Sequence, residues 1–352
     1  MANSPIDPAE TLATPEGRPG RVFVQDLLDG LARLAVLALV AAAVLQRLRG
    51  LHWAADLTTH MQAHLLLAAV AVTLYYLWAR RWAWLTLALA LVLLGALTVR
   101  PWQFWMGPAE PPLAAAAEAA PTDGVRPLRI LVWNAFVHNP DPQSLVRFVA
   151  RRDADVVAIL EWTPALGREL DGLRQSHPHH REVPFGGAFG IAMYSRIPGA
   201  IEAVTIPGPV PALRFRPQDP RLPVDLWAVH TLPPTGREYQ AIRDEQLRWL
   251  GTHLREGTQR MPILGGDLNI TPWADQYQRL LGEADLVDSQ AGFGYHATWP
   301  NRLGRFGIPI DHVAVDRHIE VTARSVHFAS PGSDHAAVWI ELAVSGRSGI
   351  GF

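Results

Sequence analysis

Residues 261–269 read MPILGGDLN: a short apolar run, Met261 to Leu264, is followed at once by Asp267 and Asn269. A run this brief that ends in turn-forming and charged residues is read as a buried strand running out of a sheet into a loop. The same pattern recurs on both sides of it. Upstream, LRILVWNA (128–135) carries Asn134 at its end, VVAIL (156–160) is followed by Glu161, and Leu222 to His230 ends in His230. Downstream, Ile310 to Val315 carries Asp311 and His312 near its start, and Asp334 and His335 precede the strand Ala336 to Leu342. Further strands are expected at Phe189 to Ser195, Ala212 to Arg216 and Ile319 to Phe328, with helices at Gln143 to Arg152, Pro164 to Arg174 and Arg237 to Arg255. Many strands with few, widely spaced helices imply two sheets packed face to face with helices outside them.

A single Asp or His at a strand end is ordinarily a cap or a turn residue. Six strands that all end in carboxylate, amide or imidazole are expected to converge on one cleft, because active groups gather where loops leave a rigid sheet. His312 follows Asp311 on a strand and so points to the opposite face, where a structural role is expected. His177, His179 and His180 lack an acidic or cysteine partner at ligand spacing and are read as a solvated loop. Composition narrows the chemistry further. The chain has no cysteine and no lysine, so thiolate sites, a Schiff-base lysine and a P-loop lysine are all excluded. Residues 128–352 hold 24 acidic and 22 basic side chains, a balance that opposes tight binding to duplex nucleic acid.

The stretches WN (133–134), LEW (160–162), GGDLN (265–269), IDH (310–312) and SDH (333–335), in this order and with His230 among them, resemble the endonuclease/exonuclease/phosphatase (deoxyribonuclease-I-like) superfamily. The resemblance covers residues 128–345 and implies an α/β fold, a four-layer α/β sandwich of two mixed β-sheets flanked by helices. It also implies a phosphoesterase dependent on Mg²⁺ or Mn²⁺. By that resemblance Asn134, Glu161 and Asp334 form the metal site, and His230, Asp267, Asn269, Asp311 and His335 are the catalytic set. Hard oxygen donors suit such a cation. Asp311 is expected to fix the tautomer of His335, Asn269 to act as a neutral oxyanion donor, and either Asp267 or His335 to serve as the base. Tyr194 and Arg196 lie where other members place a phosphate contact, but no fixed pattern selects either.

Ahead of this domain lie three apolar runs without a charged residue: Leu34 to Leu45, Leu65 to Ala79 and Trp82 to Val99. At 1.5 Å per residue the third reaches about 27 Å, near the ~30 Å hydrocarbon core of a bilayer. Residues 1–106 are therefore expected to be a membrane region of about three transmembrane helices, and the Pro/Ala-rich stretch 107–127 a linker. Four arginines (Arg18, Arg21, Arg80, Arg81) against three (Arg47, Arg49, Arg100) place the N-terminus inside and the catalytic domain on the outer, periplasmic face of the cell membrane. The expected substrate is a phosphoester, whether lipid headgroup, nucleic acid or small molecule, and no protein partner is called for. Two other functions fit the same residues: a cytoplasmic metal-dependent nuclease, and a membrane-bound binding module without turnover.

Overall fold

The computed structural model describes residues 19–48, 52–105, 125–141, 143–328 and 332–345. Most of the expected linker, residues 107–124, lies outside these, and its last three residues, 125–127, instead begin the first strand of the sheet-bearing unit. Two compact units are present, one formed by Met1–Val44 with His64–Leu94, the other by Leu45–Ala63 with Gly95–Phe352.

Five helices come first: α1 (Pro19–Arg47), α2 (Trp53–His60), α3 (Gln62–Trp78), α4 (Trp82–Val99) and the single turn α5 (Trp102–Trp105). In the first unit Ala32 and Val36 of α1 pack with Tyr76 of α3 and with Leu85 and Ala88 of α4. The Asp29 carboxylate accepts hydrogen bonds from the Tyr75 hydroxyl and from Arg81. Leu34, Leu37, Leu67, Leu74, Leu93 and Leu97 remain exposed on the outside. An apolar outer surface of this kind suits lipid rather than water. Phe23–Arg47 and Trp82–Val99 are each long and apolar enough to cross a membrane, and α2 with α3, bent by 61°, would be a third crossing if the bent pair is one span.

The second unit carries two six-stranded sheets. The first contains β1 (Val125–Asn134), β2 (Val156–Leu160), β3 (His179–Val183), β4 (Ile191–Ser195), β11 (Glu320–His327) and β12 (Ala337–Ser345), in the order β11-β12-β1-β2-β4-β3. The second contains β5 (Gly199–Thr205), β6 (Pro211–Pro217), β7 (Val224–His230), β8 (Met261–Asp267), β9 (Leu286–Asp288) and β10 (Asp311–Asp316), in the order β5-β6-β7-β8-β10-β9. Among the described residues only β1/β2 and β7/β8 pair in parallel. Parallel neighbours need a crossover, which α6 (Gln143–Arg152) and α9 (Arg237–His253) supply.

Alternate residues of each strand point to opposite faces, and in the inner strands both faces are buried, which is why those strands read as nearly continuous apolar runs. Between the sheets, Ile130, Val132, Leu160 and Met193 meet Leu213, Phe215, Leu226, Ile263 and Val313. On the far side of the first sheet, Leu131, Trp133 and Ile159 pack with Phe148 and Val149 of α6 and with Leu166 and Leu173. Beyond the second sheet, Trp227, Leu264 and Ala314 pack with Leu247 and Leu250 of α9 and with Tyr277 and Leu280 of α10 (Asp275–Ala284). Helix, sheet, sheet, helix: the second unit is the four-layer α/β sandwich.

Three local expectations are corrected. The helix expected over Pro164 to Arg174 is two, α7 (Pro164–Glu169) and α8 (Asp171–Ser176), broken at Leu170, whose φ of −95° and ψ of 17° leave the helical region. Thr163 starts the first of them by accepting the Leu166 N–H at 3.1 Å. His179 and His180 are not in a loop but open the edge strand β3, and His177 is wholly buried, its Nε2 2.9 Å from the Ala154 carbonyl.

Candidate active site

The site forms where the C-terminal ends of β1, β2, β7 and β8 meet the N-terminal ends of β10 and β12. Asn134 bridges the sheets: its side-chain N–H donates to Glu161 Oε1 at 3.0 Å and to Asp267 Oδ2 at 3.1 Å. Glu161, one residue beyond β2, holds a left-handed backbone with φ of 57°, and its second oxygen accepts the Val137 N–H at 2.8 Å. Left-handed backbone is uncommon outside glycine and persists only where the surroundings enforce it. Asn269 also adopts it, with φ of 48°.

Sheet register brings the next residues together. His230 on β7 and Asp311 on β10 are the cross-strand partners of Asp267 on either side of β8. His230 Nε2 lies 3.5 Å from Asp267 Oδ2, and His335 Nε2 lies 3.7 Å from the same oxygen. The other ring nitrogen of His335 is 2.8 Å from Asp311 Oδ2. Asp267 Oδ1 accepts the Asn269 N–H at 2.9 Å, and the Asn269 side chain donates to the Thr231 carbonyl at 2.9 Å. Asp334 lies beside His335 in the chain, and its Oδ2 accepts from the Trp299 indole at 3.1 Å. Seven of the eight residues singled out in the sequence therefore belong to one contact network at the mouth of the two sheets, and the eighth, Asp334, adjoins it through its chain neighbour His335.

The electrostatics divide these groups. Burial raises the Asp267 pKa and the neighbouring Asp311 charge adds to it, while His335 works against it. Burial would depress His335, but Asp311 and Asp267 outweigh it and hold the imidazolium up to about 10. His230, buried and beside the charged His335, is pushed down to about 3 and is neutral. Burial also raises Glu161, against the hydrogen bonds from Asn134 and Val137. Glu161 thus has neutral donors only, and the Asp334 charge raises it further. Asp334 Oδ1 is buried without a hydrogen-bond partner among the described residues. Two neighbouring carboxylates with no cationic hydrogen-bond donor among the described residues, opposed only by the nearby His335 charge, fit a hard divalent cation held by Glu161 and Asp334. Asn134 Oδ1 already accepts the Phe136 N–H at 3.1 Å, so this amide suits a supporting role beside the cation. Asp267, Asp311 and His335 also bring ligand atoms within 4.8 Å of one another. With His335 held as an imidazolium the trio is ready to handle a proton, and a metal held there would have to displace that proton first.

Several side chains outside the sequence-predicted set position it. Thr298 Oγ1 accepts the backbone N–H groups of Ile310 and Asp311, each at 3.1 Å, and so fixes the start of β10. Ser333 donates to the Asn134 carbonyl at 2.7 Å and accepts the His335 N–H at 3.0 Å. The Trp133 indole donates to the His335 carbonyl at 3.3 Å. Ser333 and Trp133 stand inside the quoted SDH and WN stretches; Thr298 carries no sequence signal of this kind. His312 faces away from the cleft, with Nε2 2.7 Å from the Ile270 carbonyl and its ring beside Tyr277. Tyr194 donates to Glu182 and Arg196 pairs with Asp153, both away from the cleft network. Arg302 and Arg305 are exposed on the turn Asn301–Phe306, whose first residue donates its N–H to the Asp334 carbonyl at 2.7 Å.

The sequence profile of the Endonuclease/Exonuclease/phosphatase family matches residues 131–335, more than half of the chain. The protein belongs to this family, which includes metal-dependent phosphoesterases, nucleases and phosphatases, most of them hydrolases that use divalent metals. No curated protein matches the chain. Among solved structures it is similar to an endonuclease/exonuclease/phosphatase from Beutenbergia cavernae, with 21% identity and a TM-score of 0.50 over 62% of this chain and 72% of that one. It is also similar to D. rerio TDP2 complexed with single strand DNA product, with 17% identity and a TM-score of 0.52 over 61% and 98% of the two chains. A mannosyl-6-phosphatase from Bacteroides thetaiotaomicron has 17% identity and a TM-score of 0.51 over 61% and 99%. At these identities the likeness is one of fold.

Proposed function

We propose that this protein is a divalent-metal-dependent phosphoesterase, a phosphodiesterase or phosphatase, carried by a membrane region over residues 1–106 and a linker over 107–124, with its catalytic domain over 125–345 on the outer face of the cell membrane. The observation that carries the reading is the hydrogen-bonded chain Glu161–Asn134–Asp267 with His335–Asp311 against it. Phosphoester hydrolysis needs a positioned water, neutralised phosphate oxygens and a stabilised leaving oxygen. A divalent cation at Glu161 and Asp334, when bound, supplies charge neutralisation at the phosphate.

The remaining steps belong to the side chains. Asp267, with its pKa raised by burial, is suited to accept a proton from water near neutral pH. His335 is held as an imidazolium by Asp311, so it is suited to donate to a phosphate or leaving oxygen rather than to act as the base. His230, neutral, and Asn269 donate to non-bridging oxygens without repelling them. The slight acidic excess of residues 128–352 speaks against duplex DNA as the main substrate. The test is turnover by the full-length protein in detergent, with Mg²⁺ or Mn²⁺ and after chelation, on aryl phosphodiesters, phosphomonoesters, DNA and phospholipid. Metal-dependent hydrolysis of at least one class is expected; failure on all four with both metals overturns the reading.

A further inference from the structure

Helix α2 sits in the sequence between two apolar helices, yet it belongs to the unit that contains the sheets. His52 opens it by accepting the Ala54 N–H at 3.1 Å, and its inward side buries Ala55, Asp56, Thr59 and His60. Two polar contacts tie that side to the segment following Asn269 and a third ties it to α9. The Trp273 indole donates to the Thr59 carbonyl, His60 Nδ1 lies 3.3 Å from the Thr271 hydroxyl, and Asp56 Oδ2 accepts from Arg243 at 2.8 Å. The Asp56 and Arg243 side chains are 1% and 0% exposed, so the pair is sealed from water. Arg243, from α9, uses its other terminal nitrogen to donate to the Asn269 carbonyl at 3.2 Å. Asp244 also accepts from the same guanidinium, at 2.7 Å.

Asn269 is the residue whose left-handed backbone needs holding. Asp267 fixes its N–H and Thr231 its side chain, both from within the cleft. Its carbonyl is held by Arg243, a guanidinium that stays buried because Asp56 and Asp244 balance it. We propose that Asp56 is a positioning residue for the active site, acting through Arg243 on Asn269, and that the site is complete only with the α1–α3 loop docked against the sheets. This rests on the phosphoesterase reading for the role of Asn269, but the docking itself does not. The docking also constrains the membrane path. With α2 held against the sheets, the loop and the C-terminal sheets would share one side of a bilayer, so a crossing by α4, which is long and apolar enough for one, would require α3 to cross without α2.

The absence of cysteine allows a clean experiment on the full-length protein in detergent. The double variant His60→Cys with Thr271→Cys is expected to cross-link under mild oxidation or with a short bis-thiol-reactive reagent that spans a few ångströms more, and failure of both to cross-link overturns the docking. Asp56→Ala is expected to speed amide exchange at least about tenfold over residues 268–273 while β11 and β12 stay protected, and to lower kcat about tenfold on an aryl phosphodiester with little change in KM. Asp56→Asn, which keeps an acceptor for Arg243, is expected to recover part of both and serves alone if the alanine variant does not fold. If folded Asp56→Ala exchanges and turns over like the parent, the positioning role is wrong. If the parent hydrolyses no phosphoester, the proposed function fails while exchange and cross-linking still decide the docking.

Discussion

The paired glycines of GGDLN set up a stringent test of the site. An alanine methyl at Gly266 would stand 1.8 Å from the Val229 carbonyl oxygen, against an ordinary contact of 3.4 Å or more, so β7 and β8 would have to part by about 1.6 Å (3.4 minus 1.8). Val229 is the cross-strand partner of Gly266, and the next pair is His230 with Asp267. The displacement therefore reaches Asp267, whose bond from Asn134 is 3.1 Å long and breaks beyond 3.5 Å. The φ of 156° adds strain, because side chains rarely adopt it. Together these suggest a loss of about 3 kcal/mol or more. For a domain of this size that is a fall of roughly 6–12 °C in melting temperature. A 1 Å misplacement of a catalytic group typically costs about 100-fold in rate, which sets the expected fall in kcat. Gly265→Ala is the control: its methyl would meet a side-chain methyl of Val132 at 2.9 Å, which yields more easily, so a loss under about 1.5 kcal/mol is expected. Thermal unfolding and turnover on an aryl phosphodiester measure both variants. A Gly266→Ala protein that melts with the parent and keeps its rate would refute the strand-register argument.

Glu161→Gln removes the charge that would hold the cation, so turnover should fall and the Mg²⁺ concentration for half-maximal rate should rise, as read from a metal titration. His335→Ala should lower kcat by about 100-fold or more while metal-dependent stabilisation in a melting assay stays near that of the parent. Asp311→Asn should lower the pKa of His335. Since that pKa is raised from 6.5 to about 10, its contribution to stability is full below 6.5 and is lost as pH rises towards 10, and the variant should flatten this slope in unfolding measurements. A reporter fused after Phe352 should be active only on the outer side of the membrane, and labelling from the inside alone would reverse the proposed orientation.

The strands that stand out most clearly in the sequence are those buried on both faces, although the partly exposed β6 and β11 are also expected there. β2, β4, β7, β8 and β10 are buried along their whole length and mostly apolar because they lie between two cores, and polar residues at their ends mark where they run into the cleft or a turn. The edge strands β3 and β5 are largely exposed, carry charges such as Arg181 and Glu202, and show too little periodicity to stand out. β9 has three residues, too few for any pattern. The site followed from the same logic: Asn134, Glu161, His230, Asp267 and Asp311 are readable because each sits where an apolar run stops.

What could not be read were contacts between residues far apart in the chain, and these change how the N-terminal third is understood. In the sequence, Asp56 is one acidic residue in a polar interval between apolar runs, where solvent exposure is the ordinary expectation, and Arg243 is one of several arginines on an amphipathic helix. Separated by 187 positions, they form a buried pair that reaches the Asn269 carbonyl. A membrane region that only tethered the enzyme would leave its loops free of such pairs, since burying two charges is unfavourable unless geometry and further hydrogen bonds compensate. The compensation here comes from Asp244 and the Asn269 carbonyl, both on the sheet-bearing side. Removing residues 1–106 would therefore do more than release a domain from the bilayer: it would strip a buried carboxylate from Arg243 and loosen the turn that carries Asn269.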